Sequence, residues 1–147
     1  MGIIFNNPDF TRAICHRAQA IVNIEFDVSF ASVANGKLLG GVVFTAWTGR
    51  GGSVGGHVAS WHPRWLTRDL LFVSFDYAFN GLAVKKVFGT VPSDNMKAIS
   101  LNRRWGYKEE ARVSGVYPGA DMVLMSLVRE DCRYLGLKSR FRATEDA

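Results

Sequence analysis

Apolar residues recur at helical spacing near the start of the chain and then at a spacing of two. Asn7, Pro8 and Asp9 favour a helix start, because Asn can cap, Pro suits the first helical position and Asp complements the helix dipole. The apolar residues that follow predict a first helix of roughly three turns: Phe10, Ala13, Ile14, Ala18 and Ile21. From residue 26 to residue 32 the pattern alternates, which predicts a strand.

Turn-forming residues then mark out a hairpin and a longer helix. Asn35-Gly36 is the signature of a tight hairpin, and it predicts a return strand over residues 38–47. A glycine-rich loop at 49–53 precedes a further strand at 54–61. Residues 67–80 predict a helix, with Thr67 as its cap and Asn80-Gly81 as its stop.

The remaining pattern completes a mixed fold. It predicts a strand at 86–91, a helix at 96–105 that Gly106 ends, and strands at 109–117 and 122–128. The polar tail after about residue 136 is expected to be frayed and flexible. The order is helix, three strands, helix, strand, helix, two strands, which indicates an α/β (α+β) fold with a mostly antiparallel N-terminal sheet. Segments 54–61, 67–80 and 86–91 form one βαβ unit.

Composition narrows the class of protein. At 147 residues, 48% hydrophobic and 21% charged, the chain is expected to form a single domain over 1–147. Two cysteines cannot build a disulfide framework or a four-ligand zinc site, and three histidines show no ligand spacing, so no metal is expected. The cysteine usage, the absence of a signal-peptide pattern and the absence of an 18-residue apolar window point to the cytoplasm and not to a membrane.

Charge and helix position mark one candidate ligand site. The net charge of +5 favours an acidic partner, whether nucleic acid, anionic lipid or a phosphorylated small molecule. In a βαβ unit, ligands favour the carboxyl end of the first strand and the start of the following helix. That junction spans residues 62–69, where Arg64 and Arg68 flank the free amides of the helix start. Phosphate suits such an anion cradle, although solvated arginines with Thr67 as a simple cap explain the same residues.

The ordered set of segments resembles the GNAT superfamily of N-acetyltransferases. The segments are RWLTRDLLFVSFDYAF, VFGTVPSDNMKAISLNRRWGYKEEARV and DMVLMSLVREDCRYL, over about residues 54 to 135. The likeness is to its ribosomal-protein-acetyltransferase branch and to small acetyltransferases encoded by phages. The resemblance implies a central sheet with two splayed strands, acetyl-CoA as co-substrate, and transfer of its acetyl group to an amine, most simply of a protein.

The resemblance also implies where acetyl-CoA would lie. Its pantetheine arm would pair with backbone groups of His57, Val58, Ala59, Ser60 and Trp61. A backbone N–H between Ala59 and Trp61 would polarise the thioester carbonyl. The pyrophosphate would rest on the helix start: Arg64, Trp65, Leu66, Thr67, Arg68 and Asp69. Asn95 matches the family asparagine near the pantetheine, and Asn102 falls where the family often has a tyrosine acid.

This chain departs from the family pattern at the residues that bind phosphate and transfer protons. It has no glycine between Gly56 and Gly81, although the family's phosphate loop uses glycines to let the backbone approach a phosphate. The usual acidic base on strand 54–61 is missing. His57 is the best replacement base, since imidazole titrates near pH ~6.5, while a structural strand histidine explains it as well. Tyr117, and more weakly Tyr107, are the candidate acids.

Three functions stay open at this point. The first is an acyl-CoA-dependent N-acyltransferase. The second is a protein of the same fold and of phage type that binds a host target, in the host cytoplasm, without catalysis. The third is a nucleic-acid binder, because Lys97, Arg103, Arg104 and Lys108 cluster on and after one helix. A homodimer formed through sheet edges is compatible with each.

Overall fold

Seven strands form one sheet with helices on both faces in the computed structural model, which describes residues 1–136. The strands are β1 (Gly2–Phe5), β2 (Val28–Ala34), β3 (Lys37–Thr45), β4 (Ser53–Ser60), β5 (Lys86–Pro92), β6 (Lys108–Tyr117) and β7 (Ala120–Val128). The helices are α1 (Pro8–Arg17), α2 (Arg68–Asp76) and α3 (Met96–Trp105). A π-helix (Tyr77–Gly81) continues α2, and a 3₁₀ turn (Arg129–Asp131) follows β7.

The strand order is β1-β2-β3-β4-β5-β7-β6, and β4–β5 is its parallel pair. The predicted mixed, mostly antiparallel sheet is therefore confirmed, and so is the parallel βαβ unit. Strand β1, which no pattern predicts, adds to the edge of β2. The flexible tail expected after about residue 136 lies outside the described residues.

The first helix has the predicted length of roughly three turns over Pro8–Arg17, but it ends before Ile21, which the sequence pattern assigns to it. It ends at Arg17, because Ala18 caps it and Gln19 takes the left-handed backbone region with φ 57°. Ile21, expected on the helix, is instead 94% exposed in the following loop. The hairpin prediction is confirmed, since Asn35 and Gly36 have φ values of 52° and 73°, as a tight hairpin turn of this kind requires.

The helices cover the sheet on opposite faces. Ile14 and Cys15 of α1 pack on Ala31, Val43 and Ala59. The other face carries the larger core, in which α2 and α3 meet the sheet through Leu70, Leu71, Phe75, Ile99 and Trp105, among others. Apolar residues of α1 and α2 recur at helical spacing because each helix has one face against the sheet.

The two central strands separate after three pairs. β4 and β5 are in register only at Ser53–Lys86, Val54–Val87 and Gly55–Phe88. Beyond this point β4 stays paired with β3 as far as Ser60, and β5 stays paired with β7 as far as Pro92. Each strand follows its outer neighbour, so a wedge opens between them toward their carboxyl ends. The splayed central strands implied by the resemblance are therefore present.

None of the described helices combines the length and the apolar character that crossing a bilayer requires.

Candidate active site

The wedge between β4 and β5 encloses a cavity of about 250 Å³, here called the wedge cavity. Its strand walls are residues 56–58 of β4 and 89–92 of β5. Helices α2 and α3 close the sides with Leu71, Ser74, Phe75, Ala98, Leu101 and Asn102. Since the opening lies where two strands would otherwise pair, backbone groups as well as side chains face it.

The hydrogen-bond alternation of β3 and β4 shows which backbone groups face the wedge. Trp61 N–H donates to the Leu39 carbonyl at 2.8 Å. Bonded residues alternate along an antiparallel pair, so Ala59 and His57 also bond toward β3, and Val58 and Ser60 present their N–H and C=O to the wedge. The expectation that an N–H between Ala59 and Trp61 polarises the thioester is thus wrong for Ala59 and for Trp61. Val58 has the suitable orientation.

Arg17, which sequence reasoning missed, reaches the wedge from the end of α1. Its Nε donates to the Ser60 carbonyl at 2.7 Å, and its guanidinium lies 5.2 Å from the centre of the Trp61 ring. The contact spans 43 residues of sequence. A basic residue in the last turn of a helix is ordinary, so no local signal marks this tertiary partner.

A second opening of about 640 Å³, the mouth groove, continues the wedge toward solvent. It is lined by the β4–α2 loop, by one side of α3 and by Arg17: Val58, Ala59, Ser60, Trp61, His62, Pro63, Trp65, Leu66, Asn95, Lys97, Ala98, Leu101 and Arg104. Three of these side chains are cationic, namely Arg17, Lys97 and Arg104. The groove therefore combines apolar walls with positive charge.

The predicted anion cradle at the start of α2 is only partly beside this groove. Thr67 caps the helix and accepts a hydrogen bond from Leu70 N–H at 3.1 Å, as expected. Arg64 and Arg68 are exposed, and they and Asp69 line neither the wedge cavity nor the mouth groove. Two amides of the loop are also engaged, Arg64 N–H with His62 Nδ1 and Trp65 N–H with the His62 carbonyl.

Trp65 is a core residue that also borders the mouth groove. It is 8% exposed, and a Cβ atom added to Gly40 of β3 would lie 2.7 Å from its Cβ and Cγ atoms. The indole therefore packs directly on the backbone of β3, which only a glycine permits. This contact fixes the β4–α2 loop on the sheet.

His57 lies midway along β4 and contacts Thr45. Its Nε2 atom is 3.1 Å from the Thr45 hydroxyl oxygen. Burial lowers the pKa of His57 from its ordinary value, and the Asp27 carboxylate offsets part of this shift. The ring is thereby kept neutral, the form that accepts a proton.

The remaining predicted residues divide between the wedge and the sheet edge. Asn95 lines both openings, and its side-chain oxygen caps α3 at Ala98 N–H. Asn102 lines the wedge cavity and its Nδ2 lies 3.7 Å from Met125 Sδ. Tyr107 also lines this cavity, and burial raises its pKa. Tyr117 ends β6 opposite Ala120 and lines neither opening.

Ser74 provides a test of whether a polar ligand fits the wedge. It is 2% exposed and lines the wedge cavity, and its Oγ is the buried side-chain atom among the described residues that has no hydrogen-bond partner. A buried hydroxyl without a partner is costly, and a ligand amide or carbonyl in the wedge would satisfy it. The sequence signal is a serine inside the apolar run from Leu70 to Phe79.

Within residues 1–136, no group of three or more His, Cys, Asp or Glu side chains is placed to hold a metal ion. Both cysteines are buried and free, and burial raises the pKa of Cys15 to about 11. Both side chains pack in the apolar core.

Comparison with solved structures identifies the fold. No protein-family model and no curated protein matches this sequence. The spermidine N-acetyltransferase of Vibrio cholerae, in complex with CoA and spermine, matches 90% of this chain and 98% of its own at 17% identity, with a TM-score of 0.63. The ribosomal-protein-alanine N-acetyltransferase of Brucella melitensis matches 87% of this chain and 99% of its own at 15% identity, with a TM-score of 0.66. This chain therefore has the fold of the GNAT superfamily of N-acetyltransferases.

Proposed function

We propose that this protein is an N-acetyltransferase that moves the acetyl group of acetyl-CoA to an amine. The observation that carries the proposal is the wedge between β4 and β5, whose walls offer the unpaired strand face of Val58 and the orphan hydroxyl of Ser74. An amide-bearing arm can pair with a strand face as a further strand would. A structural neighbour that carries CoA supports this reading.

The charges of the mouth groove indicate how the nucleotide end would be held. Arg17, Lys97 and Arg104 surround the groove on the side where the wedge opens. Cationic side chains and helix-start amides are the usual phosphate partners in proteins. The phosphates would therefore lie in the mouth groove, between Leu66 before α2 and the Lys97 and Arg104 side chains of α3. Asn95 would contact the pantetheine through its NH₂ group, because its oxygen already caps α3.

The chemistry needs a base, an oxyanion donor and an acid. With the Thr45 hydroxyl accepting from Nε2–H, His57 keeps a lone pair on Nδ1 and can take the amine proton. The Val58 N–H faces the wedge and would donate to the thioester oxygen. Tyr107 lines the wedge cavity, and because burial raises its pKa, its hydroxyl stays protonated and would donate a hydrogen bond to the departing sulfur, while water supplies the proton. Tyr117 would need to approach from the β6–β7 hairpin to fill the same role.

The acceptor is proposed from the structural neighbours. The neighbours named above are acetyltransferases of spermidine and of a ribosomal protein, and a protein amine stays our first choice. We place the reaction in the cytoplasm, the host cytoplasm for a phage-encoded protein, since acetyl-CoA is available there.

Titration calorimetry with acetyl-CoA tests the donor, and CoA release with a panel of amines tests transfer. We expect binding, an increase in melting temperature by mass action, and release that depends on the amine. The absence of both heat and thermal shift at millimolar acetyl-CoA would refute the proposal. Binding without turnover on any amine would favour the rival, a binding protein of the same fold.

A further inference from the structure

A third cavity of about 910 Å³, the amino-end pocket, meets the wedge cavity at His57. It lies where β2 and β4 begin and β3 ends, and it is lined by residues that include Val28, Thr45, Val54 and His57. The mouth groove lies at the other end of β4, beyond Val58. The two openings therefore approach His57 from opposite ends of the same strand.

Three large apolar side chains are exposed on the rim of the amino-end pocket, beside the polar Asn23 and Glu25. Ile21, Phe26 and Trp47 are 94%, 76% and 50% exposed, and all three line the pocket. The inner wall adds Phe44 and Tyr77, whose ring centres are 6.1 Å apart. Large apolar side chains that gather exposed around an opening indicate a ligand or partner surface.

The inner part of this pocket carries a buried carboxylate. Asp27 is 5% exposed, and its Oδ2 accepts a hydrogen bond from Asn23 N–H at 2.6 Å. None of the ion pairs among the described residues includes Asp27. The pocket lining contains no Lys or Arg. A buried carboxylate is costly without a compensating cation, so the pocket is suited to a ligand that brings a positive charge.

We propose that the amino-end pocket binds the acyl acceptor, and that this acceptor is a primary amine on an aromatic or aliphatic body, whether that body belongs to a protein or to a small molecule. The inference rests on the proposed function. Asp27 attracts the ammonium group inward, and the apolar rim contacts the body. Glu25 also lines this pocket, but its carboxylate is exposed, and an exposed ion pair contributes little. A polyamine would place its further ammonium groups close to Ile21, Phe26 and Trp47, where they would lose hydration without a strong partner.

Acetyl transfer can be followed proton by proton and bond by bond. The ammonium ion first releases a proton to water, and the neutral nitrogen attacks the acetyl carbonyl. The N–C bond forms, the C–S bond breaks, and the second nitrogen proton passes to His57. The CoA thiolate takes a proton from water, and His57 then returns its proton to water. The net products are therefore the amide, free CoA and the one proton that the ammonium ion first released.

A panel of matched amines tests the substrate class with the full chain and acetyl-CoA. Phenethylamine is compared with ethanolamine, and hexylamine with hexamethylenediamine, which has the same length and a second ammonium group. Spermidine completes the panel. We expect kcat/KM for phenethylamine to exceed that for ethanolamine by about 10-fold or more, since burial of a ring is worth at least that factor. We expect hexylamine to exceed the diamine.

Substitutions in the pocket test whether its residues determine the preference among amines. Trp47→Ala and Phe26→Ala should raise KM for phenethylamine several-fold and leave KM for ethanolamine and for acetyl-CoA unchanged. Val113→Ala, at an apolar residue 43% exposed on β6, is the matched control and should change nothing. Asp27→Asn should raise KM for every amine while acetyl-CoA binding, measured by calorimetry, persists.

The outcomes separate the two claims. Turnover of spermidine, hexamethylenediamine or ethanolamine in preference to the apolar amines overturns the substrate class and leaves the acetyltransferase standing. Turnover of phenethylamine that Trp47→Ala and Phe26→Ala leave unchanged overturns the pocket. Failure of every amine together with failure to bind acetyl-CoA refutes the proposed function itself. An NMR shift of the Trp47 indole N–H on addition of phenethylamine alone supports the pocket independently of turnover, and no shift at millimolar amine overturns it.

Discussion

The Nε2 atom of His57 lies 3.1 Å from the hydroxyl oxygen of Thr45, on the neighbouring strand β3. This contact orients the imidazole at the meeting point of the wedge cavity and the amino-end pocket. Because burial lowers the pKa of His57, the oriented ring is neutral at physiological pH. Position and protonation state therefore both suit a general base.

Replacing His57 should slow transfer without loss of donor binding. We expect His57→Gln to lower kcat by about 100-fold or more, the usual contribution of a general base. Steady-state kinetics measures the rate, and calorimetry measures acetyl-CoA affinity. An unchanged kcat would assign the histidine to structure alone.

The same residue gives a pH dependence of stability with a definite sign. Below about pH 6.5 an unfolded histidine binds a proton, whereas the lowered pKa keeps folded His57 neutral. The free energy of unfolding should therefore fall as the pH falls from about 6.5 through the folded-state pKa. His57→Gln should remove this slope in urea unfolding, and an NMR titration of the ring should show a midpoint below 6.5.

Ser74→Ala should separate ligand binding from folding. The variant removes a buried hydroxyl that has no partner, so the free energy of unfolding should stay constant or rise, while acetyl-CoA affinity falls several-fold. Ser29→Ala is the matched control, since its buried Oγ lies 2.7 Å from Thr11 Oγ1. It should cost about 1 kcal/mol of stability and leave affinity unchanged. If Ser74→Ala lowered the stability and left acetyl-CoA affinity unchanged, Ser74 would not contact the ligand.

Side chains added at Gly89 should fill the wedge. A Cβ there would make only ordinary contacts, at 3.7 Å from Asn102 Nδ2 and 3.9 Å from the Gly56 carbonyl oxygen. Gly89→Ala and Gly89→Val should therefore fold, and the alanine should gain about 0.5 kcal/mol through the unfolded state. Acetyl-CoA affinity should decrease from glycine to alanine to valine. Equal affinity across the series would place the donor elsewhere.

The contact between Gly40 and Trp65 should be intolerant of a methyl group. Gly40→Ala would bring a Cβ to 2.7 Å from the indole, and overpacking of this kind costs about 1–3 kcal/mol. Gly40→Ala combined with Trp65→Leu should recover part of that loss. Gly2→Ala, with nothing within 4 Å, is the control, and urea unfolding measures all four proteins.

Two sets of basic residues are candidates for binding the phosphates of CoA. Lys97→Gln and Arg104→Gln, at the mouth groove, should each lower acetyl-CoA affinity and its salt dependence. Arg64→Gln and Arg68→Gln, predicted from sequence yet outside both openings, test the cradle at the helix start. Calorimetry at two salt concentrations measures the acetyl-CoA affinity of each variant. A larger loss of affinity in Arg64→Gln and Arg68→Gln would show that the phosphates bind at the helix start, as the sequence predicts.

Local patterns determined the elements of this protein. The Asn35-Gly36 turn, the Thr67 cap and the Gly106 stop act within a few residues of themselves, so the sequence predicted the hairpin and two helices correctly. The order of these elements indicated the fold class, and the resemblance of the ordered segments to the GNAT superfamily implied the splayed strands. Local patterns failed at β1, whose partner β2 is remote in sequence, and at the end of α1, where Gln19 adopts a left-handed backbone.

Tertiary structure decided which residues meet in the site. Arg17 reaches Ser60 across 43 positions, Trp65 turns onto Gly40, and Ser74 faces the wedge because of the way α2 lies on the sheet. Sequence spacing specifies only which side of an element a residue occupies. Contacts between elements depend on strand divergence and packing, whose free energy is distributed over the whole core, so no local signal could place the wedge and the amino-end pocket on either side of His57.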